Sequence, residues 1–81
     1  MELPSHVNDW TIQHVSEWLR EIVELEKYCQ LFEDNEINGK CLLLLDNNGL
    51  IELGVTAYGS RKLILHAIGN VKKNIYKCKF D

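Results

Sequence analysis

The sequence predicts an all-α fold: a bundle of five helices, four of them short and the last one long. Three observations predict it. Apolar residues recur at helical spacing along three stretches, period-two alternation is absent throughout, and clusters of Asn, Asp and Gly punctuate the chain between those stretches. Eighty-one residues make one domain whose core is only just large enough to hold without staples, so function has to sit on the surface.

The first helix begins after Thr11, a good N-cap residue. Trp10 before it and Val15 after it occupy the positions of a hydrophobic staple, with Gln13 and His14 in the first turn. Val15, Trp18, Leu19 and Ile22 then fall at i, i+3, i+4 and i+7, which places four side chains on one core-facing stripe. Leu25, Tyr28, Cys29 and Phe32 repeat the spacing, and the second helix ends near Asn35, where Asn35, Asn38 and Gly39 bring breaker chemistry around Ile37. Asn38 caps a third, short helix from Gly39 to Leu45 that reads as buried because it is apolar all round. A fourth spans Leu50 to Leu53 from a cap at Asp46 or Asn47, and Gly54 stands where a left-handed residue ends a helix. From about Tyr58 to about Tyr76 no proline interrupts the chain, and Ile64, Ile68, Val71 and Ile75 recur as the stripe of the long fifth helix. Gly69 inside it costs about 1 kcal/mol against alanine. These limits give an N-terminal extension over 1–9, the domain over 10–76 and a C-terminal tail over 77–81.

Composition narrows the function classes. Apolar residues make up 46% of the chain and charged residues 26%, the balance of a folding globular domain. The longest apolar run, Cys41 to Leu45, is far short of a membrane span, and the first residues lack the basic patch and apolar stretch of a secretory signal. The expected address is intracellular, cytoplasmic first, with the nucleus as the alternative. Cys29, Cys41 and Cys78 are odd in number and widely spaced, so they read as free thiols, Cys29 and Cys41 in the core and Cys78 exposed. His6, His14 and His66 are dispersed, and neither a nucleophile–base pair, a phosphate loop nor a metal-ligand spacing occurs. The reading is a non-enzyme with no cofactor and no metal.

Charge is segregated along the chain. Residues 24–52 carry seven acids, Glu24, Glu26, Glu33, Asp34, Glu36, Asp46 and Glu52, against Lys27 and Lys40, a balance of −5. Residues 53–81 carry Arg61, Lys62, Lys72, Lys73, Lys77 and Lys79 against Asp81, a balance of +5. The plain interpretation is two solvated faces; the sharper one is a molecule with an acidic and a basic pole.

Taken together, Trp10-Thr11, Val15, Trp18-Leu19, Ile22, Leu25, Tyr28, Phe32, Asn35, Ile37, Gly39, Leu42-Leu43, Leu50, Leu53-Gly54-Val55, Gly59, Arg61, Leu65 and Ile68 resemble the sterile alpha motif (SAM) domain, over residues 10 to about 72. Two departures stand out. Val23-Glu24-Leu25-Glu26-Lys27 holds one residue more than most members carry, which predicts a bulged turn between the first two helices. Gly59-Ser60-Arg61 replaces a frequent Gly-His-Arg. The resemblance implies a five-helix bundle and a protein-interaction module, an adaptor or scaffold domain of signalling proteins that binds another SAM domain or itself. It implies an acidic mid-loop face, for which Glu33, Asp34, Glu36, Asp46 and Glu52 are the candidates, and a basic end-helix face, for which Tyr58, Gly59, Arg61 and Lys62 are. If one molecule carries both, the contact is head to tail and gives a homo-oligomer or an open filament.

Two other partners come second. Some SAM-like domains bind RNA hairpins through a basic patch near helix five, and Arg61, Lys62, Lys72 and Lys73 are the available cations. The negative net charge of −3 and the lack of aromatic-basic interleaving weigh against nucleic acid. The segment from Lys72 to Phe80 alternates lysines with Ile75, Tyr76 and Phe80, as a lipid-binding amphipathic end would, and equally as a solvated end of the core helix.

Overall fold

Helix α1, Ile12–Arg20, starts where the Thr11 hydroxyl accepts the His14 N–H, and the cap is reciprocal: the Thr11 N–H donates to His14 Nδ1 at 3.0 Å. His14 thus takes the place that Glu or Gln holds in a capping box. In the computed structural model, described here over residues 3–80 with side chains through Lys72, α1 buries Val15, Ser16, Trp18 and Leu19. Helix α2, Cys29–Asp34, buries Cys29 and Phe32 against it. Helix α3 is Gly39–Leu44, α4 is Asn47–Leu53 and α5 is Tyr58–Phe80. The five α-helices and two single 3₁₀ turns, Val7–Asp9 and Glu26–Tyr28, account for all regular structure among the described residues.

Each helix contributes to one core, which runs from Val7 and Trp10 through Leu19, Leu25, Phe32, Leu42 and Leu50 to Ile64 and Ile68. Trp10 and Trp18 meet with ring centroids 5.9 Å apart at 55°, a tilted packing that suits the aromatic quadrupoles. A polar tie also joins α1 to α2: the buried Ser16 hydroxyl donates to Glu33, and the Cys29 thiol lies 3.3 Å from the Ser16 carbonyl oxygen.

The helix ends follow from specific residues. Asn38 accepts the Cys41 N–H to cap α3, and Asp46 accepts the Gly49 N–H at 2.7 Å to cap α4. Helix α4 stops at Gly54, whose φ of 115° belongs to the left-handed region that glycine tolerates. At the end of α2 the same turn is made without glycine: Glu36 has φ 54°, its N–H reaches the Glu33 carbonyl, and Ile37 N–H reaches Phe32. Those two bonds, 5→2 and 6→1, form a Schellman motif, and buried Ile37 and Phe32 supply its hydrophobic contact.

Several expectations change. Cys41 is exposed rather than in the core, and Leu44 is 82% exposed, because a helix of six residues buries only one face and α3 gives that face to Gly39 and Leu42. The packed unit takes in part of the expected N-terminal extension: Val7 is buried, and Trp10 Nε1 donates to the Pro4 carbonyl at 2.9 Å. Gly39 explains why this strap fits. A Cβ there would stand 1.6 Å from the Val7 carbonyl oxygen, so only glycine lets the strap lie against α3. Helix α5 continues past Tyr76 to Phe80. Cys78, Ile75 and the basic side chains from Lys73 onward fall outside the residues whose side chains are described.

Candidate interaction surfaces

The structure distributes the candidate acids over three settings. Asp34, Glu36 and Glu52 are exposed, with Asp34 accepting from Gln30 Nε2 at 2.8 Å. Glu33 is half-buried and engaged by Ser16 of its own α1. Asp46 is exposed but caps α4, and the next residue, Asn47, accepts from Arg61 Nε at 2.9 Å. The α4 cap therefore lies beside the start of α5, so Asp46 borders the basic end, while Asp34 and Glu36 close α2.

At the start of α5, Tyr58 is 64% exposed, and both Arg61 Cζ and Lys62 Nζ lie over its ring, at 5.8 Å and 5.2 Å from the centroid. Gly59 and Lys62 are exposed. Arg61 differs from its neighbours. Besides the bond to Asn47, its Nη1 donates to the carbonyls of Val55 at 3.0 Å and Thr56 at 2.9 Å. The guanidinium fork thus clamps the α4–α5 loop to both helices, an internal task that the sequence pattern of a lone Gly-x-Arg does not reveal.

A feature that sequence reasoning saw only as a bulge becomes a surface here. In the α1–α2 turn Glu24 stands in the left-handed region, at φ 77°, and Val23 is 84% exposed. The bulge then faces α5 across an open cleft of about 460 Å³ lined by Glu24, Lys27, Ala57, Gly59, Ser60 and Leu63. Among the described residues, three His, Cys, Asp or Glu side chains nowhere converge as metal ligands would, and no helix is long and apolar enough to cross a membrane.

The SAM domain (sterile alpha motif) family model matches residues 8–72, about four-fifths of the chain. The chain belongs to the SAM domain family. Similar curated proteins include diacylglycerol kinase eta of Drosophila melanogaster, 40% identical over 67 residues that make up 83% of this chain and 4% of the kinase. SH3 and multiple ankyrin repeat domains protein 2 of Xenopus laevis is 45% identical over 65 residues, 80% of this chain and 5% of that protein. The chain thus spans a few per cent of the length of these relatives, and what it shares with them is the SAM domain. That family consists in general of non-catalytic protein-interaction modules, and the all-helical bundle with its long last helix agrees with it.

Proposed function

We propose that this SAM domain is an intracellular scaffold module that joins head to tail, self to self, through the exposed acids of α2 and α4 and the basic start of α5. One observation carries the reading: opposite charge is both segregated along the chain and presented to solvent. Asp34, Glu36 and Glu52 stand exposed on one segment, and Lys62 stands beside the exposed Tyr58 ring on the other. The start of α5 adds its unpaired N–H groups and the positive end of the helix dipole, both of which favour a carboxylate. Glu33 and Asp46 support the surface from within the fold, and Arg61 shapes the basic end by holding its loop.

The contact surfaces lie on different parts of one molecule, so the association is heterologous and need not close. Exposed ion pairs contribute roughly 0–1 kcal/mol each and are screened by salt, which makes the assembly salt-sensitive. Sedimentation velocity over a concentration series at low and moderate salt tests this. Mass should rise with concentration, fall back with added salt, and be reduced by Asp34→Lys or Lys62→Glu with helicity intact. Sedimentation of both variants that matches an associating parent refutes the surfaces; a parent that stays monomeric throughout refutes self-association.

A further inference from the structure

Two Asn-Gly pairs stand in the chain, Asn38-Gly39 and Asn48-Gly49, and each sits at the start of a short helix. Such a pair is prone to lose the asparagine amide without any enzyme, because glycine has no side chain to shield its backbone nitrogen and lets the chain bend back onto the amide carbon. The fold treats the two pairs differently. Asn38 is half-buried, and its side-chain oxygen accepts the Cys41 N–H at 3.0 Å. Gly39 is buried, donates its N–H to the Trp10 carbonyl at 2.9 Å, and lies so close to Val7 that even a Cβ has no room. Asn48, by contrast, is exposed, and among the described residues no hydrogen bond holds its side chain. Its glycine is restrained by a single exposed bond, from the Gly49 N–H to Asp46 Oδ1 at 2.7 Å.

We propose that Asn48 is a site of spontaneous deamidation and that the Asp46 cap sets its rate. When the first turn of α4 frays, the Gly49 nitrogen gives its proton to base and attacks Asn48 Cγ. The new N–C bond closes a succinimide ring, the Cγ–Nδ2 bond breaks, and the departing nitrogen takes up a proton and leaves as ammonia. Water then adds to either ring carbonyl: opening at Cγ leaves aspartate at position 48, and opening at the main-chain carbonyl leaves isoaspartate, with the chain running through Cβ and Cγ. The sum is one water consumed and one ammonia released, with no change of oxidation state. End turns of a helix open at low free-energy cost, whereas freeing Gly39 means lifting Val7 and Trp10 out of the core. The isoaspartyl product adds one carbon to the main chain at the turn where Asp46 caps Gly49 and Asn47 accepts from Arg61 Nε, so it loosens the α4–α5 junction irreversibly. The aspartyl product only adds a carboxylate in the first turn of α4, where the helix dipole favours it. Neither product needs a partner, and the chemistry is independent of how the domain associates.

The test incubates the folded 81-residue chain at mildly alkaline pH, below its melting temperature, and follows each amide by peptide mass spectrometry, with isoaspartate-specific methylation to count the isoaspartyl form. Trypsin places the two sites on separate peptides, residues 28–40 and 41–61. In the folded parent Asn48 should convert with time while Asn38 stays intact; in urea strong enough to unfold the chain, both should convert at similar rates. Asp46→Ala should speed conversion at Asn48 about fivefold, the factor by which losing a typical side-chain cap raises the frayed population, and should leave Asn38 intact. Asp46→Asn keeps a capping oxygen and should age like the parent. The isoaspartyl form should melt below the unaged chain, and Asn48→Asp should not. Conversion confined to the urea sample, or as fast at Asn38 as at Asn48 in the folded parent, overturns the site. An Asp46→Ala chain that ages no faster than the parent, or that speeds both sites equally because the whole domain opens, overturns the cap as its gate.

Discussion

Replacing Arg61 by methionine separates its internal task from any contact with a partner. The substitution keeps the aliphatic stem and removes the guanidinium, and with it three hydrogen bonds, to Asn47 Oδ1 and to the carbonyls of Val55 and Thr56. The bonds to Asn47 and Thr56 are exposed, so water replaces them at a cost of a few tenths of a kcal/mol each. The bond to Val55 is part-buried and charge-assisted, and its loss costs about 1.5 kcal/mol. The sum is about 2 kcal/mol. For a domain of this size each kcal/mol moves Tm by roughly 4–8 °C, so Arg61→Met should melt about 8–16 °C below the parent. Lysine cannot reproduce the fork and should recover less than half of the loss.

The assay is thermal unfolding followed by circular dichroism, at a dilution and salt concentration where the chain is monomeric, because association itself raises Tm by mass action. Lys62→Met is the control. Lys62 is exposed and, among the described residues, makes no hydrogen bond or ion pair, so its loss should shift stability by less than about 0.5 kcal/mol. An Arg61→Met chain that melts within 3 °C of the Lys62→Met chain would refute the clamp. The outcome also governs how any binding defect at position 61 is read: a loop that has come loose weakens a partner contact without Arg61 ever touching the partner.

Three further substitutions test the packing. Gly39→Ala drives a Cβ to 1.6 Å from the Val7 carbonyl oxygen and 2.9 Å from Trp10 Cβ, so it should expel the N-terminal strap and cost about 3 kcal/mol or more, visible as a large drop in Tm and a changed tryptophan emission. Gly69→Ala meets open space in the middle of α5 and should raise stability by about 1 kcal/mol, or roughly 4–8 °C in Tm; an unchanged Tm would show that the helix is not limiting there. Glu36→Gly relieves a left-handed residue and should stabilise by about 0.5–1 kcal/mol in urea unfolding, while removing one exposed acid and so weakening association.

Helices that carry an amphipathic stripe or a side-chain cap were legible in the sequence. Thr11, Asn38 and Asp46 all cap as their chemistry dictates, Gly54 ends α4 in the left-handed region, and Val15, Trp18, Leu19, Phe32, Ile64 and Ile68 are all buried. What escaped depends on distant backbone. Cys41 and Leu44 read as core from their apolar neighbours, yet nothing local says that α3 is covered on one side only. Gly39 reads as a breaker, and its real constraint, the approach of Val7, comes from 32 positions away. Arg61 reads as a free cation because its partners are two main-chain carbonyls and one amide, groups that leave no signature in composition. Glu33 fails as a free acid for a similar reason: Ser16, its partner, sits on another helix.

Among the described residues, the two non-glycine residues with positive φ link these observations to the proposed contacts. The chain uses glycine for the left-handed turn after α4, at Gly54, but glutamate for the turns at Glu24 and Glu36. A left-handed glutamate costs about 1 kcal/mol that glycine would avoid, in a domain whose whole stability is of the order of 5–15 kcal/mol. Strained backbone of this kind points to a gain made elsewhere. Both residues are exposed, so the gain does not come from burial within the fold. Glu36 stands on the acidic surface proposed above for association, and Glu24 on the wall of the open cleft beside the start of α5, two exposed places open to a partner. If that is the reason for the glutamates, Glu24→Gly should repeat the behaviour of Glu36→Gly, with a more stable monomer and a weaker assembly. Gly54→Glu should destabilise the monomer, since it strains a left-handed turn that glycine makes freely. Stabilisation of the monomer with association untouched, at both 24 and 36, would leave the strain unexplained by the surfaces that carry it.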